Sequence, residues 1–151
     1  MKALPALLMC SMPLVMVSCK TEVKKVDTKI ASRPELIAIL DKIFIERMGF
    51  KSIKCPSYLQ PYEFKNEPKL EQHCFASQDQ PEDLLVPFSG EFAQMGKVQM
   101  QWRLDVGMWV TTYEISKELQ FLAGLQSPSE GSLMRDDPAV KNYGTIGWFL
   151  L

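Results

Sequence analysis

Cys10, Cys19, Cys55, Cys74 and His73 are the residues of this 151-residue chain with the most chemistry to offer. His73 stands beside Cys74, which raises a thiol–imidazole pair or a metal site as the sharp possibilities. Successive side chains of an extended segment point to opposite faces, so these two do not naturally meet. A metal site wants three or four ligands, and the chain has a single histidine. Ser–His–Asp chemistry would need that same histidine as base, and no Gly-x-Ser-x-Gly turn presents a serine. The carboxylate pairs Glu82–Asp83 and Asp136–Asp137 lie in proline-containing polar stretches, where they are expected to be solvated. A glycosidase needs its two carboxylates facing each other across a cleft. Phosphate-cradling glycine motifs are absent. The chain is therefore not expected to be an enzyme, and no cofactor or metal is implied.

Cys19 belongs to different chemistry. Lys2 supplies a small positive region, and Ala3 to Val17 is apolar apart from Ser11. That length suits the apolar region of a signal peptide and falls short of the roughly 20 residues of a spanning helix. Cys10 follows the bulky Met9, whereas Cys19 follows the small Ser18. The segment Met16-Val17-Ser18-Cys19 resembles the lipobox of bacterial lipoproteins, with Met16 where Leu is usual. The resemblance implies a signal peptide over residues 1–18 and a lipid-modified Cys19 as the first mature residue, bearing diacylglycerol and an amide-linked acyl chain such as palmitate. Two or more chains give stable anchoring. Lys20, standing where Asp would hold a lipoprotein in the inner membrane, implies the outer membrane. The periplasmic side is the expectation and the cell surface the alternative. The resemblance ends at Cys19.

With Cys10 removed and Cys19 lipidated, Cys55 and Cys74 remain. An oxidising periplasm favours their pairing, and closing a loop of 19 positions stabilises by about 3 kcal/mol in the chain-entropy model. Cleavage after residue 18 of 151 leaves 133 residues, enough for one modest core. Loss of Lys2 leaves 16 basic against 18 acidic side chains, a net charge of −2. Nucleic acid is excluded as a partner on that balance, since phosphate neutralisation needs clustered Lys and Arg.

The elements that position these residues follow from periodicity. Residues 19–31 are the lipidated cysteine and a polar tether without apolar repeat, and residues 32–151 form a single domain. The spacing of Leu36, Ile37, Leu40, Ile43, Phe44 and Met48 predicts a buried helical stripe from Ser32 to Met48. Ser32 and Glu35 stand as a capping box, Pro34 lies in the first turn, and Gly49 is placed to end the helix. Short strands are expected at Phe50–Cys55 and Leu70–Ser77, and Gln78–Asp83 reads as a polar turn before a short apolar run, Leu84–Phe88. In Lys97–Tyr113, Val98, Met100, Trp102 and Leu104 alternate with Gln99, Gln101, Arg103 and Asp105, a period-two strand with one buried face. Ser116–Leu125 shows weak helical spacing, Gln126–Pro138 reads as a surface loop, and Tyr143–Leu151 as a terminal strand. The expected fold is α+β: an N-terminal helix packed on an antiparallel sheet of about four to six strands.

If the strand runs unbroken past Gly107, Trp109 and Tyr113 share the outer face with Arg103. The three would then form a partner-binding surface, aromatic rings being favoured anchors at interfaces. A bulge or hairpin at Asp105–Gly107 would reverse the phase and bury them. Three functions follow. The first is an outer-membrane-tethered periplasmic lipoprotein that binds another envelope protein, as an accessory subunit of secretion or envelope assembly. The second is a periplasmic inhibitor or immunity protein against a toxin or cell-wall hydrolase, presenting Pro56–His73 as a disulfide-held loop. The third is a weak cell-wall hydrolase.

Overall fold

The computed structural model describes residues 30–56, 59, 70–128 and 137–151. The expected signal segment, Cys19, the expected tether up to residue 29 and most of the expected surface loop lie outside the described residues. Helix α1 spans Arg33–Lys42 and runs into a π-helical turn, Ile43–Arg47. Then come β1 (Lys51–Ile53), β2 (Gln72–Ser77), α2 (Pro81–Ala93), β3 (Lys97–Asp105), β4 (Met108–Ser116), β5 (Leu119–Gln126) and β6 (Thr145–Leu150). Over the described residues the fold is α+β, with two α-helices and one six-stranded sheet in the order β1-β2-β6-β5-β4-β3. Every neighbouring pair is antiparallel, and the last strand, β6, sits inside the sheet between β2 and β5.

Capping and packing explain α1. The Ser32 hydroxyl accepts from the Glu35 backbone N–H, and the Glu35 carboxylate accepts from the Ala31 N–H at 2.9 Å, so two orphan donors are satisfied. Leu36, Leu40, Ile43 and Phe44 are buried. The π turn places Ile43 and Phe44 side by side in the core, and their carbonyls accept from the Met48 and Phe50 N–H groups, each at 2.9 Å. Gly49, at φ +70°, turns the chain out of the helix.

One face of the sheet meets these helical side chains. Phe75, Phe121, Leu125, Phe149 and Tyr113 from the strands pack with Leu84, Phe88 and Phe92 from α2. Phe44 lies at the centre, stacked on Phe75 at 4.4 Å and tilted against Phe88 at 4.6 Å. Offset and tilted ring pairs of this kind add to what burial alone contributes. The far face carries a separate cluster of Cys74, Val110 and Trp148, flanked by partly buried Met100, Met108, Leu122 and Leu150.

Three expectations are corrected here. The run Leu84–Phe88 is not a short apolar stretch after a polar turn but the middle of α2, whose buried residues are Pro81, Leu84, Phe88 and Phe92. Pro81 occupies the first helical position, where its missing N–H costs nothing, and Pro87 is turned to solvent. Ser116–Leu125 is not helical: it is the end of β4 and most of β5. Leu119 and Leu125 pack on the helix side while Leu122 joins the far-side cluster, so both faces are apolar and the period of two is hidden.

The third correction concerns β3 and β4. They are two strands joined by a tight turn at Val106 and Gly107, and the register shifts between Val98 and Met100 and again between Met100 and Arg103. These bulges break the alternation of β3. Val98 and Trp102 pack on the helix side and Met100 on the far side. Trp109 and Tyr113 therefore do not face outward with Arg103. Tyr113 is 4 % exposed within the helix-side core, and Trp109 packs against the same core. Arg103 alone of the three remains on the surface.

Candidate functional site

Residues on β2 alternate cleanly between the two faces, and that alternation decides what His73 and Cys74 can do. Cys74 points to the far side and is joined to Cys55 by a disulfide, with Cα atoms 5.0 Å apart across the β1–β2 edge. A bonded sulfur is no nucleophile, so a His73–Cys74 catalytic pair is ruled out by geometry and by chemistry alike.

His73 points to the helix side, where its ring stacks on Phe149 at 4.8 Å. Its Nδ1 lies 3.0 Å from Asp41 Oδ1, on α1, and its Nε2 lies 3.2 Å from Glu71 Oε1, two positions back on its own chain. A ring with a carboxylate at each nitrogen can donate to both at once only when it carries two protons. The two nitrogens face away from each other, so Asp41 and Glu71 cannot converge with the ring on one ion. Among the described residues no group of His, Cys, Asp and Glu side chains is arranged to hold a metal. Each ring nitrogen thus faces a carboxylate of the fold itself.

The bracket extends to the end of the chain. Arg33 donates to the Leu151 carbonyl at 2.9 Å and lies 3.9 Å from Glu71. Glu71 and Leu151 exchange backbone hydrogen bonds in both directions, at 3.2 and 3.1 Å. Arg33, Asp41, Glu71, His73 and Leu151 thus tie both ends of α1, the beginning of β2 and the end of β6 into one polar seam. The pairs are a third to a half exposed, so each contributes under about 1 kcal/mol and their value lies in fixing the geometry. Glu71 and His73, spaced i,i+2, were readable as sharing a face. Asp41 was not, because only the tertiary packing of α1 brings it there.

A second polar seam pins α2 to the β3–β4 hairpin. Trp102 donates its indole N–H to Ser89 Oγ at 3.0 Å, and Ser89 donates to the Leu85 carbonyl at 2.7 Å. Trp109 donates to Glu82 Oε1 at 3.1 Å. Burial pushes the Tyr113 phenol above its ordinary value, and a hydrogen bond with Ser89 opposes that shift. Both tryptophans, then, spend their polar tips on one helix. Where the bulged residues of β3 interrupt the ladder, the Thr111 hydroxyl donates to the Met100 carbonyl at 2.7 Å.

Beside the disulfide, residues 52–55 and 72–74 line an open groove of about 280 Å³. On the same far face the Trp148 ring lies across Gly124, where any Cβ would collide with the indole. The Trp148 N–H and the side-chain carbonyls of Gln72 and Gln126 have no hydrogen-bond partner among the described residues. No family model, curated protein or solved structure matches this chain.

Proposed function

We propose that this chain is a lipid-anchored protein of the outer membrane, held on its periplasmic side through Cys19, that binds another envelope protein as an accessory subunit. In this reading α1 is the N-terminal helix of the mature domain and covers the sheet, while residues 19–31 tether it to the bilayer. The protein is non-enzymatic and needs no metal or cofactor. Anchoring at a membrane surface raises the effective concentration of a small adaptor near its partner. Among the described residues no helix is long and apolar enough to cross a membrane.

The observation that carries the reading is the Cys55–Cys74 disulfide. Those are the two thiols that processing at Cys19 leaves over, and disulfides persist in exported proteins. The His73 bracket supports the non-enzymatic part, since both ring nitrogens are already engaged.

The inhibitor reading also draws on the disulfide, which joins the two ends of the Pro56–His73 stretch. One experiment separates the two. A tagged full-length chain is cross-linked in cells and the adducts are resolved. An adaptor yields an envelope protein of assembly or secretion, in amounts that fall when Cys19 is replaced. An inhibitor yields a hydrolase, and the purified chain abolishes that enzyme's zone in peptidoglycan zymography. Absence of any adduct overturns both, and a clearing zone from the chain itself would establish the hydrolase instead.

A further inference from the structure

Val106 stands where a tight hairpin wants Asn, Asp or Gly. It is the first of the two residues between β3 and β4, whose ends are paired at Asp105 and Met108. Its φ is +47° and that of Gly107 is +78°. Positive φ at both positions is the pattern of a type I′ turn, the form that matches strand twist. A β-branched residue in that region is a steric outlier, and Val106 is the one non-glycine among the described residues to show it. Nothing inside the fold offsets this, because the Val106 side chain is 90 % exposed.

Its neighbourhood is also apolar. Leu104, two residues earlier, is 60 % exposed, and its cross-strand partner is Trp109. Trp109 is bonded to Glu82 at the start of α2, and one helical turn further Val86 is 80 % exposed. A residue that violates local turn chemistry and at the same time exposes an apolar group marks a use outside the fold.

We propose that the β3–β4 hairpin tip, through Leu104 and Val106, docks a protein partner by entering an apolar recess with a cationic rim. This rests on the reading above that the chain binds an envelope protein, and it names the surface. The rim chemistry follows from the charges about the tip. Asp105 lies between the two apolar residues, and Glu82 and Asp83 open the adjoining helix, while Arg103 is drawn to Asp105 at 3.7 Å. Among the described residues this is an acidic excess, which suits a basic rim. It does not suit an anionic bilayer surface, which attracts Lys and Arg and repels carboxylates.

The test places a photo-cross-linking residue at position 106 of the full-length chain in its own cells. A control places it at Lys117, in the exposed β4–β5 turn at the opposite end of β4. The expected result is a discrete protein adduct from position 106 and none from 117. That adduct should fall at least tenfold on adding Leu104→Ser or Asp105→Lys. In the detergent-solubilised chain, Val106→Asn should raise Tm by a few degrees, since Asn tolerates positive φ. A phospholipid adduct from 106 would assign the tip to the membrane and overturn the proposal. Adducts from other surface positions but not from 106 would overturn the tip and leave the binding function standing. No adduct from any position would overturn both. A lower Tm for Val106→Asn would remove the strain argument.

Discussion

Trp109 shows most sharply how a single residue's role is set by its surroundings. Read as part of an unbroken strand it is an exposed anchor; in the fold it packs on the core and donates to Glu82. Trp109→Ala is therefore expected to destabilise by about 3 kcal/mol, a loss comparable to that of Trp102→Ala, because each removes a large ring from the α2 interface. Urea unfolding of the two variants checks this, and an unchanged midpoint for Trp109→Ala would contradict it. Gly124 offers a second test at this scale. Gly124→Ala drives a Cβ into the Trp148 indole and should cost about 1–3 kcal/mol, because the ring or the strand must shift to admit it. Tyr113 gives a pH dependence. Its phenol is raised above 10.0 by burial, so the folded chain holds the proton more tightly than the unfolded one. The linked stability is intact below that pH and declines as pH rises through the higher folded value. Tyr113→Phe should lose that part of the alkaline decline, measured as the urea midpoint from neutral pH upward.

Elements differed in how much of them could be read from residues alone. The Ser32–Glu35 cap, the strands around Lys51–Ile53 and Gln72–Ser77, and the closing strand at Thr145–Leu150 all carry local signals that survive in the fold. Helix α2 was not read: Leu84, Phe88 and Phe92 keep a helical spacing of four, but Pro87 and Gly90 between them are residues that ordinarily interrupt a helix. β5 is apolar on both faces, so its alternation could not show. The bulges of β3 are a matter of register, and register depends on the partner strand rather than on the strand's own sequence. At the candidate site the same division holds: the cysteine pairing followed from the expectation of an oxidising compartment, while the Asp41–His73 contact needed α1 to be laid on the sheet. The disulfide is the element-scale contribution that can be measured cleanly. Cys55→Ser with Cys74→Ser should lower stability by about 3 kcal/mol in the chain-entropy model, seen as a fall in Tm relative to the oxidised wild type. Equal melting of the two would mean that the cross-link contributes nothing.

At the scale of the whole molecule, the two polar seams and the apolar tip divide the labour. The Arg33–Asp41–Glu71–His73 seam locks α1 and the last residue to the sheet, and the Glu82–Ser89 seam locks α2 to the β3–β4 hairpin. Leu104 and Val106, two of the four large apolar side chains left exposed among the described residues, lie at one end of the sheet, at the tip proposed to meet a partner. That arrangement makes sense for a small adaptor whose affinity is helped by being held near its target. It presupposes the anchor, and the proposed compartment and the proposed function both rest on Cys19. Metabolic labelling with a palmitate analogue tests that claim most directly, comparing the wild-type chain with Cys19→Ala and Cys10→Ala. Label on wild type and on Cys10→Ala, with none on Cys19→Ala, is the expected result. Equal labelling of wild type and Cys19→Ala, or no label on any of the three, would contradict it.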